Sequence, residues 1–110
     1  RLAEHASALA RALQRLGAAT RAAWATNEPA AALANATPYL QAFGHTVIAW
    51  LWLDVALAAL PGAGRGTAAD IGRLAALDWF MRHELPKTDA WLRVVETRDS
   101  TARDVPEEAF

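Results

Sequence analysis

The sequence predicts an all-α fold: an antiparallel up-down-up helical bundle of three long helices, the second kinked near Pro38, plus a short C-terminal helix. Three observations carry this. Apolar residues recur at helical spacing in three segments, each bounded by Pro, Gly or Asn. Ala supplies 28 of the 110 residues, which favours helix throughout and lets neighbouring helices approach closely. The breaks between segments are short, so consecutive helices should turn back on one another.

In the first helix Leu2, Leu9, Leu13, Leu16, Thr20 and Trp24 fall on one stripe, with Arg11, Gln14, Arg15 and Arg21 mostly off it. Gly17 weakens it by about 1 kcal/mol relative to Ala. The helix should end near Thr26. Asn27 is placed to cap a second helix and Pro29 to sit in its first turn. That second helix should run over residues 28–60 with a kink at Pro38, because proline removes a helical hydrogen bond and disfavours helix at Thr37. Over residues 47–60 the only polar side chain is Asp54, which predicts a helix buried on nearly every face. Pro61, Gly62, Gly64 and Gly66 then mark a loop. Thr67 and Asp70 have capping-box spacing for a third helix, whose apolar face is Ile71, Leu74, Leu77, Phe80, Met81 and Leu85. Arg82 and His83 in its last turn suit the negative end of the helix dipole. Pro86 stops it. Thr88 or Asp89 is placed to cap a short fourth helix carrying Trp91, Leu92 and Val95. Residues 1–97 thus read as a single helical domain, and 98–110, charged and aperiodic, as a flexible tail.

A chain of 110 residues buries one core and little else, which excludes a two-domain enzyme with a cleft between its halves. The net charge of −1 and the dispersed basic residues argue against a nucleic-acid partner. With no Cys there is no disulfide, thiolate metal site or thiol nucleophile, and a cytoplasmic setting is expected. Ten Arg to one Lys, with so much Ala, points to a GC-rich bacterial genome. The chain opens at Arg1, already in helical register, as a piece of a longer protein would. No membrane span is expected, because the apolar run over residues 47–60 falls short of about 20 residues and contains Asp54.

The polar residues offer little chemistry. His5, His45 and His83 show no metal-ligand spacing. His5 reads as a surface residue, His83 as a helix-end residue, and His45 as partly buried and hydrogen-bonded. Asp54 needs a partner or an exposed edge, for example an ion pair with Arg73, Arg82 or a partner chain. The glycines at 62, 64 and 66 follow a helix rather than a strand and lack dinucleotide-loop spacing. No catalytic constellation is present. Trp50 and Trp52 lie about 200° apart on their helix, so one should face the core and the other a neighbouring chain or domain. Trp50, Trp52 and Asp54 are therefore the interface candidates. A further reading has Tyr39, His45 and Asp54 lining a small ligand cavity.

Two stretches carry a resemblance. One is residues 34–45, with Thr37, Pro38, Tyr39, Leu40, Gly44 and His45, leading into Ile48, Trp50 and Trp52. The other is residues 75–80, leading into His83, Glu84, Leu85 and Pro86. Leu16, Gly17, Ala18 and Ala19 also fit. Together they resemble the extra C-terminal helical domain of one subgroup of FAD-dependent acyl-CoA dehydrogenases, over roughly residues 2–96. The resemblance implies a non-catalytic accessory or assembly domain. FAD, the catalytic Glu and the oxidation of acyl-CoA to enoyl-CoA would belong to an upstream core, with no cofactor in this fragment. The implied partners are the upstream dehydrogenase core, a homo-oligomer, or both. The alternative is a stand-alone helical dimerisation or adaptor module unrelated to flavoenzymes.

Overall fold

A computed structural model describes residues 2–110. Five α-helices make up the fold: α1 (Leu2–Ala23), α2 (Pro29–Leu33), α3 (Ala36–Gly64), α4 (Ala68–His83) and α5 (Thr88–Glu96). Short 3₁₀ turns lie at Leu85–Lys87 and Glu107–Ala109, and among the described residues there is no strand. Three long helices, α1, α3 and α4, pack together in an elongated slab of 63 × 29 × 16 Å. The start of α1 meets the middle of α4 through His5 and Asp78, and its later turns meet α5 through Arg15 and Asp89. The chain from α4 through α5 therefore runs one course alongside α1, while α3 runs the opposite way against both.

The core of α1 follows a tighter rhythm than the stripe of large residues suggests. Leu9, Leu16, Ala19 and Ala23 are buried, whereas Leu13 and Trp24 are exposed. A steady alternation of three- and four-residue steps keeps Leu2, Leu9, Ala12, Leu16, Ala19 and Ala23 on one seam, and Leu13 falls beside it. The helix ends at Ala23 rather than near Thr26. Asn27 does not cap α2. It sits in the left-handed region at φ 56°, and its N–H donates to Trp24 O as the chain turns. Asn tolerates that conformation better than most residues.

The second segment is broken rather than kinked. Ala34 and Asn35 form a turn, and α3 starts at Ala36 with Pro38 in its first turn. There its missing N–H has no helical acceptor to lose. Pro61 likewise fails to end the helix: α3 runs one turn further, to Gly64. Its end is set by Gly66 at φ 83°, with Gly66 N–H donating to Ala63 O and Thr67 N–H to Gly62 O. This is the Schellman arrangement, which needs a left-handed residue that only Gly supplies cheaply. It also explains why the predicted capping box is not made. Thr67 N–H is already committed to Gly62 O, so Asp70 pairs instead with Arg73.

At one end of the slab Thr20 and Tyr39 tie α1 to α3. Thr20 donates its hydroxyl proton to Leu16 O at 2.9 Å, which leaves its oxygen to accept from Tyr39 Oη at 2.8 Å. Replacing Tyr39 by Phe should cost about 1 kcal/mol, the worth of one such bond, read as a lower denaturation midpoint with an unchanged denaturant slope. Arg15 reaches from α1 to Asp89 and to Glu96 at 3.1 Å, holding α5 in place. Beyond α5, Arg98 donates to Ala22 O and Asn35 to Asp99 O, while residues 101–110 are exposed throughout.

Candidate functional site

The central helix is packed the reverse of what its composition suggests. Its buried residues are Ala42, Thr46, Ala49, Ala56, Ala59 and Gly62, all small. Thr46 satisfies its own hydroxyl by donating to Ala42 O at 2.8 Å. Small side chains let the axes of α1 and α4 approach, and so this stripe turns inward. The large side chains are left outside. Leu40, Phe43, Ile48, Trp50, Leu51, Val55 and Leu57 are all exposed, Leu40 and Trp50 by 63% and 60%. The expectation of a helix buried on nearly every face is therefore wrong. One face is buried, and the opposite face is a broad apolar surface of a kind that usually marks an interaction site.

The length argument against a membrane span also fails. With 29 residues, α3 is long and apolar enough to cross a membrane by length and composition. Asp54 lies in its middle, and its small-residue stripe packs on the other helices.

Trp50 and Trp52 divide as the helical geometry requires. Trp52 is half-buried against the cluster of Leu9, Leu74, Leu77 and Phe80, while Trp50 faces out. Asp54 is exposed on the same face as Trp50. It makes no ion pair with Arg73 or Arg82, and Arg73 is held by Asp70. Among the described residues neither Asp54 nor the Trp50 indole has a hydrogen-bond partner.

The cavity proposed for Tyr39, His45 and Asp54 is not formed. Tyr39 lines a 240 Å³ apolar hollow with Trp24 and Leu33 at the end of the slab. His45 is wedged between Phe80 and Trp91, with ring centroids at 5.7 and 4.8 Å. Its Nε2 lies 3.6 Å from Glu84 Oε2, which also meets the Lys87 ammonium. Glu84 is far from His45 in sequence, so no local spacing signalled this group. The Lys87 ammonium, first of all, pulls the Glu84 carboxyl below its usual range. Partial burial opposes it, and His45 adds to it. A carboxyl lowered in the folded state contributes stability that is present above its unfolded value and is lost as pH falls through its folded value. Melting Glu84→Gln beside the parent should show a deficit at neutral pH that shrinks as the pH falls below the ordinary carboxylate range.

His5 is not a surface residue. Its side chain is largely buried, and its Nε2 donates to Asp78 Oδ1 at 2.7 Å. His83 stacks on Trp79 near the end of α4. Among the described residues no group of three His, Asp or Glu converges as a metal site would require.

A family model described as "Acetyl-CoA dehydrogenase C-terminal like" matches residues 1–106. The chain belongs to the acyl-CoA dehydrogenase C-terminal-like family. No curated protein and no solved structure matches it. The family belongs to the FAD-dependent acyl-CoA dehydrogenases. The glycines at 62, 64 and 66 do not fit a pyrophosphate. They close a helix C-terminus, where carbonyl oxygens point outward. The Asp70 carboxylate also fills the space above Gly62, 1.7 Å from where a β-carbon would stand. A 390 Å³ hollow between α1 and the junction of α4 with α5 has two arginines at its rim, but Arg15 is spent on Asp89 and Glu96. The outward face of α3 is the feature of this domain that calls for a function.

Proposed function

We propose that this domain is a non-catalytic accessory and assembly domain of an acyl-CoA dehydrogenase-like flavoenzyme. In this reading an upstream core holds the FAD and oxidises acyl-CoA to enoyl-CoA, and the domain holds the enzyme in its working assembly. The observation that carries the reading is the unpartnered apolar face of α3. A helix of this composition gains most by burying that face against protein, at roughly 25 cal/mol per Å² of apolar surface. A chain without cysteine suits the reducing, cytoplasmic setting such an enzyme would have.

The test compares the complete gene product with the same product ending before residue 1. Removing the domain should leave bound flavin and its reduction by acyl-CoA in place for each core, and should lower the mass of the assembly. Loss of flavin reduction with an unchanged mass would overturn the reading.

A further inference from the structure

The outward face of α3 has an order that a general sticky surface would lack. Leu40, Phe43, Val47, Trp50, Asp54, Leu57 and Pro61 follow one another in alternating steps of three and four residues. That is the spacing of a coiled-coil seam, in which every such residue faces a partner helix. The inner stripe of α3 already packs on α1 and α4, so this second seam, on the opposite side and exposed except at the partly covered Val47, has no partner helix among the described residues. From Leu40 to Leu57 it is about 26 Å long.

A single polar residue interrupts the seam, and it is the most informative one. Asp54 must meet a hydrogen-bond donor when the seam is covered, because an unpaired carboxylate is costly to bury. A parallel, in-register pair of α3 helices would set Asp54 against Asp54 and is excluded by like charge. An antiparallel pair allows several registers. One of them places Trp50 of each copy opposite Asp54 of the other. Both groups are exposed and, among the described residues, without hydrogen-bond partners. The indole N–H then donates to the carboxylate, twice by symmetry. The same register sets Val47 opposite Leu57 and Phe43 opposite Pro61. Sliding by one seam position puts Asp54 against Val47 or the other Asp54, and sliding by a full heptad puts it against Phe43 or Leu57, none of which can donate.

The geometry points to a second copy of this domain as the occupant of the α3 face, packed as an antiparallel twofold pair about a point near Trp52, with its register fixed by reciprocal Trp50–Asp54 hydrogen bonds. The area is adequate in scale. Leu40, Phe43, Trp50, Leu51 and Leu57 are each about half exposed or more and offer on the order of 100 Å² apiece, with Val47 partly covered between them. With the surrounding rim this approaches the roughly 800 Å² per partner of a stable interface. The inference rests on the assembly reading above and names its partner.

Sedimentation equilibrium and site-directed crosslinking of the 110-residue chain test it. The cysteine-free background gives any engineered disulfide a single origin. The parent should sediment as a dimer. Trp50→Glu should halve the mass at equal helix content, with dimer affinity reduced by roughly tenfold or more. A chain carrying both Val47→Cys and Leu57→Cys should oxidise to a covalent dimer, and neither single variant should. Asp54→Leu should keep the dimer but spread crosslinking over other registers, whereas Asp54→Asn should not. A monomeric parent, or efficient crosslinking by Val47→Cys alone, would overturn the inference. The two readings fail separately. If deleting the whole domain breaks the enzyme's assembly while Trp50→Glu leaves it intact, the seam is wrong and the assembly role stands.

Discussion

Truncating Leu77 to Ala should lower the unfolding free energy by about 2–5 kcal/mol, toward the upper end of that range. Leu77 is fully buried on α4, at the centre of a cluster with Leu9, Leu74, Phe80, Met81 and Leu85. Across the helix interface it faces a cluster that includes Ala49 and Ala56. Their side chains are too short to reach into the space that a missing isobutyl group would leave. The cavity therefore persists, and the cost of an unfilled cavity adds to the lost burial. Small domains hold only about 5–15 kcal/mol in total, so thermal unfolding should move down by on the order of 15 °C. Leu57→Ala is the control. Leu57 lies on the exposed face of α3, and in dilute, monomeric samples its loss should shift stability by less than about 0.5 kcal/mol. Equal effects at the two sites would mean that the packing of α3 described above is wrong.

Enlarging Ala49 to Leu should be nearly as damaging, at about 3 kcal/mol. Ala49 is fully buried where α3 meets its neighbours, and Ala42 and Ala56 are equally enclosed on the same stripe. Three added carbons cannot be accommodated without separating the helix axes or forcing side chains off their rotamers. Helix propensity does not compensate, because Leu and Ala are both good helix formers. The matching substitution on the other side, Ala58→Leu, adds the same atoms to an exposed position and should be close to neutral. Chemical denaturation of the two variants thus reads the orientation of α3 directly, from two residues of one type on one helix. A larger loss at Ala58 than at Ala49 would reverse the assignment of faces.

Much of the fold is legible in the chain because local rules suffice for it. Pro29 marks a first turn, and the stripes in α4 and α5 bury Leu74, Leu77, Leu92 and Val95 as their spacing requires, although Ile71, read onto the same face of α4, is exposed. The errors share a cause. Pro61 and the following glycines suggest a loop, but a proline costs a helix nothing in backbone φ. The helix ends only where a left-handed residue lets the Schellman bonds close, at Gly66. The capping-box spacing at Thr67 and Asp70 is real, but its donor was already taken. His5 gives no sign of burial, because its partner, Asp78, is on another helix.

The candidate site was only partly legible. Trp50, Trp52 and Asp54 stand out because each is unusual in its surroundings, and helical geometry separates the two tryptophans without further help. Which side of α3 each would occupy was not readable. Hydrophobicity is spread around that helix, so it has no apolar side to point inward, and sequence alone predicts burial everywhere.

The sequence by itself determined the all-α class, the number of long helices and the family. These follow from proline, glycine and apolar spacing, which act over a few residues. Only the tertiary structure decided that α3 lies with its alanines inward and its large side chains outward, and that Glu84 meets His45. The physical reason is that side-chain size, rather than hydrophobicity, sets how closely helix axes approach. That contest is settled between helices distant in sequence, not within any one of them.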